Sequence, residues 1–213
     1  MKLIVFGASG RTGKLIIELA ANAHHEVTAF VRSPEKLGPV PAGVKVVKGD
    51  GHDAAAVEAA MAGQEGALIA VGAEDRKKTT IREDITRNAI AGMKKHGGKR
   101  IVYLSASGVG DSLAQAKKLS FIYGYFLIPL MLKHPFADST AAENLIKASG
   151  LEYVLVRAVG LTDGPPKRDV VAVTDGSTEG LKITIPRADV ARFMLIAMTE
   201  DRYVNQGPAL SSA

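Results

Sequence analysis

Cysteine is missing from this chain of 213 residues, and so is tryptophan. Without cysteine there is no disulfide, no thiol nucleophile and no thiolate metal site. A cysteine-free chain suits a reducing compartment, and a cytoplasmic protein is the expectation. No apolar run approaches the ~18 residues that a membrane helix needs, so no transmembrane span is expected. Met1-Lys2 leads directly into an apolar run, and no signal peptide is expected ahead of it. His24 and His25 fall at a helix end, while His52, His96 and His134 are isolated. No pair has the H-x-x-x-H spacing of a metal site, so no metal is expected. The G-x-S-x-G elbow of a hydrolase is absent as well. The formal net charge of +5 comes from scattered residues, not from a dense basic run. That pattern implies a mild attraction for anionic ligands and gives no reason to expect nucleic acid.

What is present begins at the second residue. Lys2-Leu3-Ile4-Val5-Phe6 is a short apolar run, and Gly7-Ala8-Ser9-Gly10-Arg11-Thr12-Gly13 follows at once with glycines spaced G-x-x-G-x-x-G. After Gly13 the pattern turns helical, with Leu15, Ile16, Leu19 and Ala20 on one face. Strand, glycine-rich turn and helix start together form the context in which such glycines hold a dinucleotide. Gly7 suits the tight turn ending the strand. Gly10 suits close approach of a pyrophosphate, and Gly13 suits close packing of the helix on the sheet. The phosphates would meet free N–H groups at the positive end of the helix. The spacing differs by one residue from the commoner G-x-G-x-x-G. A purely structural strand–helix turn is the competing interpretation.

Further strands are expected at Glu26–Val31, Val44–Lys48, Ala67–Val71, Arg100–Leu104 and Glu152–Val156. Helices are expected at Ala54–Ala62, with Asp53 as N-cap, at Ile81 to about His96 and at Ser139–Ala148. A charged segment, Glu74 to Thr80, is expected as a loop. Alternating strands and helices imply a doubly wound parallel α/β sheet, with helices on both faces and right-handed crossovers. Near the end, Val170–Thr174 and Leu181–Ile185 flank Asp175-Gly176-Ser177 and are expected as two short strands beside the main sheet. This is a small substrate-side extension. Pro186 then opens a helix with Val190, Phe193, Met194 and Ala197 inward. With no repeat or linker, residues 1–213 are expected to form a single domain.

Phe121 to Leu132 stands apart. It is apolar all round, broken by Gly124 and Pro129, and flanked by lysines. Three roles are open to it: core burial, the wall or lid of a pocket, and a contact with a second copy or a membrane surface.

The chain resembles atypical short-chain dehydrogenase/reductases. The nearest likeness is to the NAD(P)H-binding group that holds NmrA-like proteins and the flavin reductase/biliverdin-IXβ reductases. The resemblance rests on Gly7–Gly13, Val31-Arg32-Ser33-Pro34, Gly49-Asp50, Ala148-Ser149-Gly150-Leu151-Glu152-Tyr153 and Ile185–Met194. It implies a Rossmann-type fold and an NADP(H) cofactor. Ser9, Gly10, Arg11, Thr12 and Gly13 would line the phosphates, and Arg32 and Ser33 would sit by the adenosine ribose. Asp50 and Gly51 would flank adenine. Val71 and Gly72 would pass under the nicotinamide-side ribose, with Ser105 and Ser107 facing the nicotinamide as the catalytic candidates. Tyr123 and Phe126 are candidates for contact with the acceptor. The two serines also fit a simpler role as satisfied strand-end hydroxyls.

One departure matters for chemistry. Dehydrogenases of this superfamily usually carry Tyr-x-x-x-Lys, but Tyr123 is followed four residues on by Leu127 and Tyr125 by Pro129. Where relatives often carry a lysine, this chain has Ser139-Thr140-Ala141-Ala142-Glu143. The expectation is an NADPH-dependent reductase, monomeric or homodimeric. It would pass hydride to a small flavin- or tetrapyrrole-like acceptor by positioning it. The alternative is a non-catalytic NADP(H)-binding, redox-sensing regulator. A sugar-nucleotide epimerase is disfavoured, because epimerases need the Tyr-Lys pair.

Overall fold

The computed structural model describes residues 1–72, 78–167 and 169–213. In chain order the first half contains β1 (Lys2–Phe6), α1 (Arg11–Asn22), β2 (Glu26–Val31), β3 (Lys45–Lys48), α2 (Ala54–Met61), β4 (Gly66–Ile69) and α3 (Ile81–His96). Then come β5 (Arg100–Ala106), α4 (Leu113–Leu119), a π-helix (Tyr123–Leu132), α5 (Lys133–Lys147) and β6 (Glu152–Ala158). The last elements are β7 (Gly160–Thr162), β8 (Val170–Val173), β9 (Thr184–Pro186), α6 (Arg187–Thr199) and β10 (Ala209–Ser212).

Eight strands form one sheet in the order β3-β2-β1-β4-β5-β6-β10-β8. All its pairings are parallel except that of β8 with β10. The chain winds outward from β1 to β3, then returns to place β4 on the other side of β1. This is the doubly wound Rossmann arrangement anticipated from the sequence. The reversal leaves a crevice at the carboxyl ends of β1 and β4, where such sheets take ligands.

Both sheet faces are covered, which explains why the strands read as continuous apolar runs. Leu3, Val5, Leu68 and Val102 pack into one cluster with Ile16 and Ile17 of α1 and Phe193 and Met194 of α6. Ile4, Phe6, Ile69 and Ile101 pack into the other with Val57 of α2, Ile85 and Met93 of α3 and Ile146 of α5. The period-two alternation of side chains thus sorts each strand between two cores. The helix ends follow the sequence. Asp53 Oδ1 accepts from the amides of Ala55 and Ala56 at 2.9 and 3.1 Å, capping α2. Gly97 ends α3 in the left-handed conformation at φ 76°.

Three expectations are corrected. Val170–Thr174 and Leu181–Ile185 are not two strands set beside the main sheet. β8 joins the main sheet against β10, with Val173 opposite Ala209, while β9 pairs in parallel with β7 in a separate two-stranded sheet. The two partners were invisible: β7 is three residues long, and β10 carries two serines. The helix expected at Ser139–Ala148 begins six residues earlier at Lys133, because Pro135 falls in its first turn, where a missing N–H costs nothing. Core burial, one of the three roles open to Phe121 to Leu132, does not occur over most of the segment: Phe121, Ile122 and Leu130 are 64%, 68% and 77% accessible. Only Gly124 and Ile128 of the π-helix are buried. A Cβ on Gly124 would lie 2.6 Å from Lys117 Cα, so this side of the turn is pressed on α4. Of the charged loop expected at Glu74 to Thr80, residues 74–77 lie outside the described residues. Among the described residues, no helix is long and apolar enough to cross a membrane.

Candidate functional site

The three glycines after β1 serve three distinguishable purposes. Gly7 has φ +76°, and a Cβ there would lie 2.4 Å from the Ala70 carbonyl oxygen. A Cβ on Gly13 would lie 2.2 Å from the Gly7 carbonyl oxygen, so α1 could not pack as it does. Gly10 is different: its φ of −73° and ψ of 161° suit any residue. Only the Gly7 oxygen, at 3.1 Å, crowds an added Cβ there. The protein's own backbone therefore does not explain glycine at position 10, whereas a ligand lying against it does. The N-terminus of α1 fits the same ligand: no side chain caps it and its first turn holds no acid. Neighbouring α2 is capped by Asp53, and α3 by Asp138 of α5. There Oδ2 accepts from the Arg82 amide at 3.2 Å and Oδ1 from the Glu83 amide at 3.0 Å. Backbone donors, a positive helix end and a residue with no side chain suit a pyrophosphate.

A cleft of about 680 Å³ runs along the carboxyl ends of β1, β2, β3 and β4. Gly7, Ser9, Gly10 and Arg11 line it, as do Arg32 and Ser33 after β2, Asp50 and Gly51 after β3, and Val71 and Gly72 after β4. Lys36 and His52, not singled out from the sequence, line it too. Asp50 is the only acidic residue among the described residues of this lining. One Asp50 carboxylate oxygen accepts from the His52 amide at 3.0 Å. The Gly51 carbonyl accepts from Asn88 Nδ2 at 2.9 Å. His52 Nδ1 lies 2.9 Å from Asp84 Oδ2. Burial pushes the Asp84 carboxyl up, but bonds from Thr80, His52 and Arg87 outweigh it and hold the group below its ordinary range.

A second chamber of about 280 Å³ adjoins the cleft, and Gly10, Arg11, Ala70, Val71 and Gly72 line both. Thr12, Leu104, Ser105, Val109, Phe136, Leu161 and Arg187 are among the residues completing its wall. Arg82 fixes the shared edge: its Nε donates to the Val71 carbonyl at 3.1 Å, and its Nη1 lies 3.5 Å from the fully buried Asp138 carboxylate. Across the mouth, Asp163 is gripped by Arg11 and Arg187, each at 2.7 Å. Arg11 thus stands between the two cavities, tied to Asp163.

Of the two serines expected to face the nicotinamide, Ser105 lines the second chamber. Its Oγ donates to Glu143 Oε1 at 2.6 Å. Ser107 is fully buried, lines neither cavity, and its Oγ finds no partner. The cause is local, since the Ser107 amide donates to the Ala158 carbonyl and turns the chain inward past β5. Tyr123 does not reach the chamber either: its hydroxyl donates to the Ser107 carbonyl at 2.8 Å, and burial pushes its pKa up to about 12. Phe126 is 51% exposed and lines neither cavity. Among the described residues, no tyrosine lines either cavity and no lysine lines the second. No group of three or more potential metal ligands occurs among them. The sequence reading missed Arg82, Phe136, Leu161 and Arg187, which come from four separate segments. Only Arg187 carried a signal, inside the Ile185–Met194 stretch.

Comparison with known proteins agrees with this geometry. The chain belongs to the NAD(P)H-binding family, which matches residues 7–201. The likeness to the NmrA-like and biliverdin reductase-like group is thereby shown. ChuY, an anaerobillin reductase from Escherichia coli O157:H7, is 25% identical, with a TM-score of 0.79 over 100% of this chain and 97% of that one. An uncharacterised sugar epimerase of Bacillus subtilis, YhfK, is 27% identical over 97% of this chain and 92% of its own. An uncharacterised chloroplastic protein of Arabidopsis thaliana is 28% identical over 80% of this chain, which spans 62% of that protein's length.

Proposed function

We propose that this member of the NAD(P)H-binding family is an NADPH-dependent reductase of a flat, conjugated acceptor of the flavin or tetrapyrrole kind. The observation that carries this reading is the wall that the two cavities share. A glycine-lined cleft suited to a dinucleotide adjoins a small, largely apolar chamber with no tyrosine–lysine pair among the described residues of its wall. ChuY, a relative of nearly equal length, is described as a reductase, which supports the same reading.

Ser9, Gly10, Arg11, Thr12 and Gly13 would hold the pyrophosphate, Asp50 and Gly51 the adenine, and Val71 and Gly72 the ribose on the nicotinamide side. The bound cofactor would supply the hydride. The chain's own residues supply position and shielding. Arg82 fixes the Val71 edge, Leu104, Phe136 and Leu161 exclude water, and Ser105 offers a polar contact in the chamber. Holding donor and acceptor together is itself a large catalytic term. Arg32 and Ser33, with Lys36 beside them, would receive the 2′-phosphate and favour NADPH over NADH. The missing dyad also favours a second reading, a non-catalytic NADP(H)-binding, redox-sensing regulator.

The test follows NADPH oxidation by the purified protein with flavins, biliverdins and quinones in turn. Turnover on a conjugated acceptor supports the reductase. Tight NADP(H) binding without turnover on any acceptor selects the regulator.

A further inference from the structure

We infer that Glu143 and Arg157 make Ser105 a hydrogen-bond acceptor toward the second chamber, so that the ligand group it takes there is an N–H. The inference rests on the proposed use of that chamber.

Ser105 is the penultimate residue of β5, lines the chamber and is 6% accessible. A serine hydroxyl has one hydrogen and two lone pairs. Here the hydrogen is committed, because Oγ donates to Glu143 Oε1 at 2.6 Å. The direction of that bond is set from behind. Glu143 is fully buried, and both its oxygens face Arg157. Nε donates to Oε1 at 3.2 Å and Nη2 to Oε2 at 2.7 Å. A guanidinium carries donors only and no lone pair to receive a proton. Lys147 Nζ adds a second cation 4.0 Å from Oε2. Asp111 pairs with both Arg157 and Lys147, so the cluster of two cations and two carboxylates is balanced. A carboxylate held in this way accepts, and Ser105 must donate to it. Such a charge-assisted bond is stronger than a neutral one and is not readily surrendered.

Toward the chamber Ser105 therefore presents lone pairs. A hydroxyl that assists reduction of a carbonyl has to donate to the oxygen on which charge develops. Ser105 cannot do so without breaking its bond to Glu143. It is matched instead to an N–H. Two sources have that chemistry: the carboxamide of a nicotinamide, and the ring N–H of a flavin-like or pyrrole-containing acceptor. Glu143 acts through Ser105 and is a positioning residue.

Two matched pairs of probes separate the sources. NADP⁺ is compared in a binding titration with its acetylpyridine analogue, which carries a methyl ketone in place of the carboxamide. Lumiflavin is compared as acceptor with its N-methylated derivative, which lacks the ring N–H. Each is measured with wild type, Ser105→Ala and Glu143→Gln. In one pair the wild type should favour the N–H member by about 3- to 10-fold, the span of one neutral hydrogen bond. Ser105→Ala should bring that preference within about twofold. Glu143→Gln can present an N–H to Ser105, turning its hydrogen toward the chamber, and should weaken or reverse the preference. A purely structural role would affect both members of a pair alike. Where Glu143→Gln does not fold, Ser105→Ala decides alone. Equal wild-type behaviour in both pairs, or a preference untouched by Ser105→Ala, overturns the inference. If NADP⁺ binds and no acceptor turns over, the reductase reading fails while the nicotinamide pair still decides on Ser105. Failure of NADP⁺ to bind at all overturns both.

Discussion

Beside β1, β2, β3 and β4, the larger cleft is lined mainly by the strand ends and the short loops that leave them, with Gly7, Gly10, Gly49, Gly51 and Gly72 among the lining residues. Beside β5, the smaller chamber gathers single side chains from distant places: Arg82 from the start of α3, Phe136 from α5, Leu161 from β7 and Arg187 from α6. Backbone recognition needs residues without side chains at fixed spacing, and this is a pattern that a sequence displays. Side-chain recognition needs residues that only the fold brings together. The first half can hold a ligand part that many proteins share, whereas the second can be respecified one side chain at a time.

The largest effect should come from breaking the first half. Gly13→Ala puts a Cβ 2.2 Å from the Gly7 carbonyl oxygen, and both groups belong to rigid backbone. Overpacking of this kind costs about 3 kcal/mol at the upper end of its usual range. Against a total stability of ~5–15 kcal/mol, denaturant unfolding should show a much weakened protein. Gly10→Val lies three residues away and should behave differently. Its backbone conformation accepts valine, so the protein should fold, while affinity for NADP(H) falls by at least ~100-fold through exclusion of the pyrophosphate. Unchanged cofactor affinity in folded Gly10→Val would show that the glycine loop is only a structural turn.

This contrast explains what the sequence could convey. Strand, loop and helix from Lys2 to Asn22 are contiguous, and each glycine is informative where it stands. The apolar runs of β1, β4 and β5 announced a sheet buried on both faces. By contrast, β7 and β10 are too short or too polar to be seen alone, and their pairing partners are set by the tertiary fold. Ser211 and Ser212 are buried in β10 although serine favours no strand. Ser107 had the same sequence credentials as Ser105, and only the inward turn after β5 separates a chamber residue from a buried one.

Cofactor choice is the next largest effect and sharpens the first half. Arg32, Ser33 and Lys36 line the cleft just after β2, and its only acid among the described residues is Asp50. One charge-assisted contact from Arg32 to a 2′-phosphate is worth ~1.5–3 kcal/mol, or about 10- to 100-fold in affinity. Arg32→Asp should reduce NADPH affinity by that order and move the preference toward NADH. Equal wild-type affinity for the two cofactors in a titration would refute the assignment.

Tyr123 should matter less. Its hydroxyl is turned to the Ser107 carbonyl and away from the chamber. Tyr123→Phe should keep the hydride step within about tenfold, since loss of a general acid typically costs ~10²–10⁴. A thousandfold loss in single-turnover kinetics would reveal an unsuspected acid. Burial raises the pKa of this tyrosine from 10 to about 12 in the folded chain. The protonated form is therefore favoured by folding. Its stabilisation is complete below pH ~10 and is lost as pH rises from there through ~12. Wild type should weaken over that interval more steeply than Tyr123→Phe, and neither should show a tyrosine limb in rate at neutral pH.

The smallest effect is expected at Phe126, and it decides what the apolar turn is for. If Phe121 to Leu132 were core, Phe126→Ser would remove a buried ring at a cost of ~3–5 kcal/mol. If it walled the acceptor site, the acceptor's Michaelis constant would rise while stability held. The structure argues against both: Phe126 is 51% exposed, lies outside the lining of either cavity, and packs edge-on to Phe121 with ring centroids 5.8 Å apart. Phe121 is itself 64% exposed, so the pair shields little from water. A substitution at such a surface position usually changes stability by no more than ~0.5 kcal/mol. In a chain of this size that corresponds to a shift in Tm of about 1–2 °C. Phe126→Ser should therefore melt with wild type and leave the acceptor Michaelis constant unchanged. A drop of ten degrees would restore the core role, and a raised Michaelis constant at unchanged Tm would bring the turn back over the chamber. The apolar character of this segment then has to be explained by the surface it presents, not by the pocket that Phe136 and Leu161 already wall.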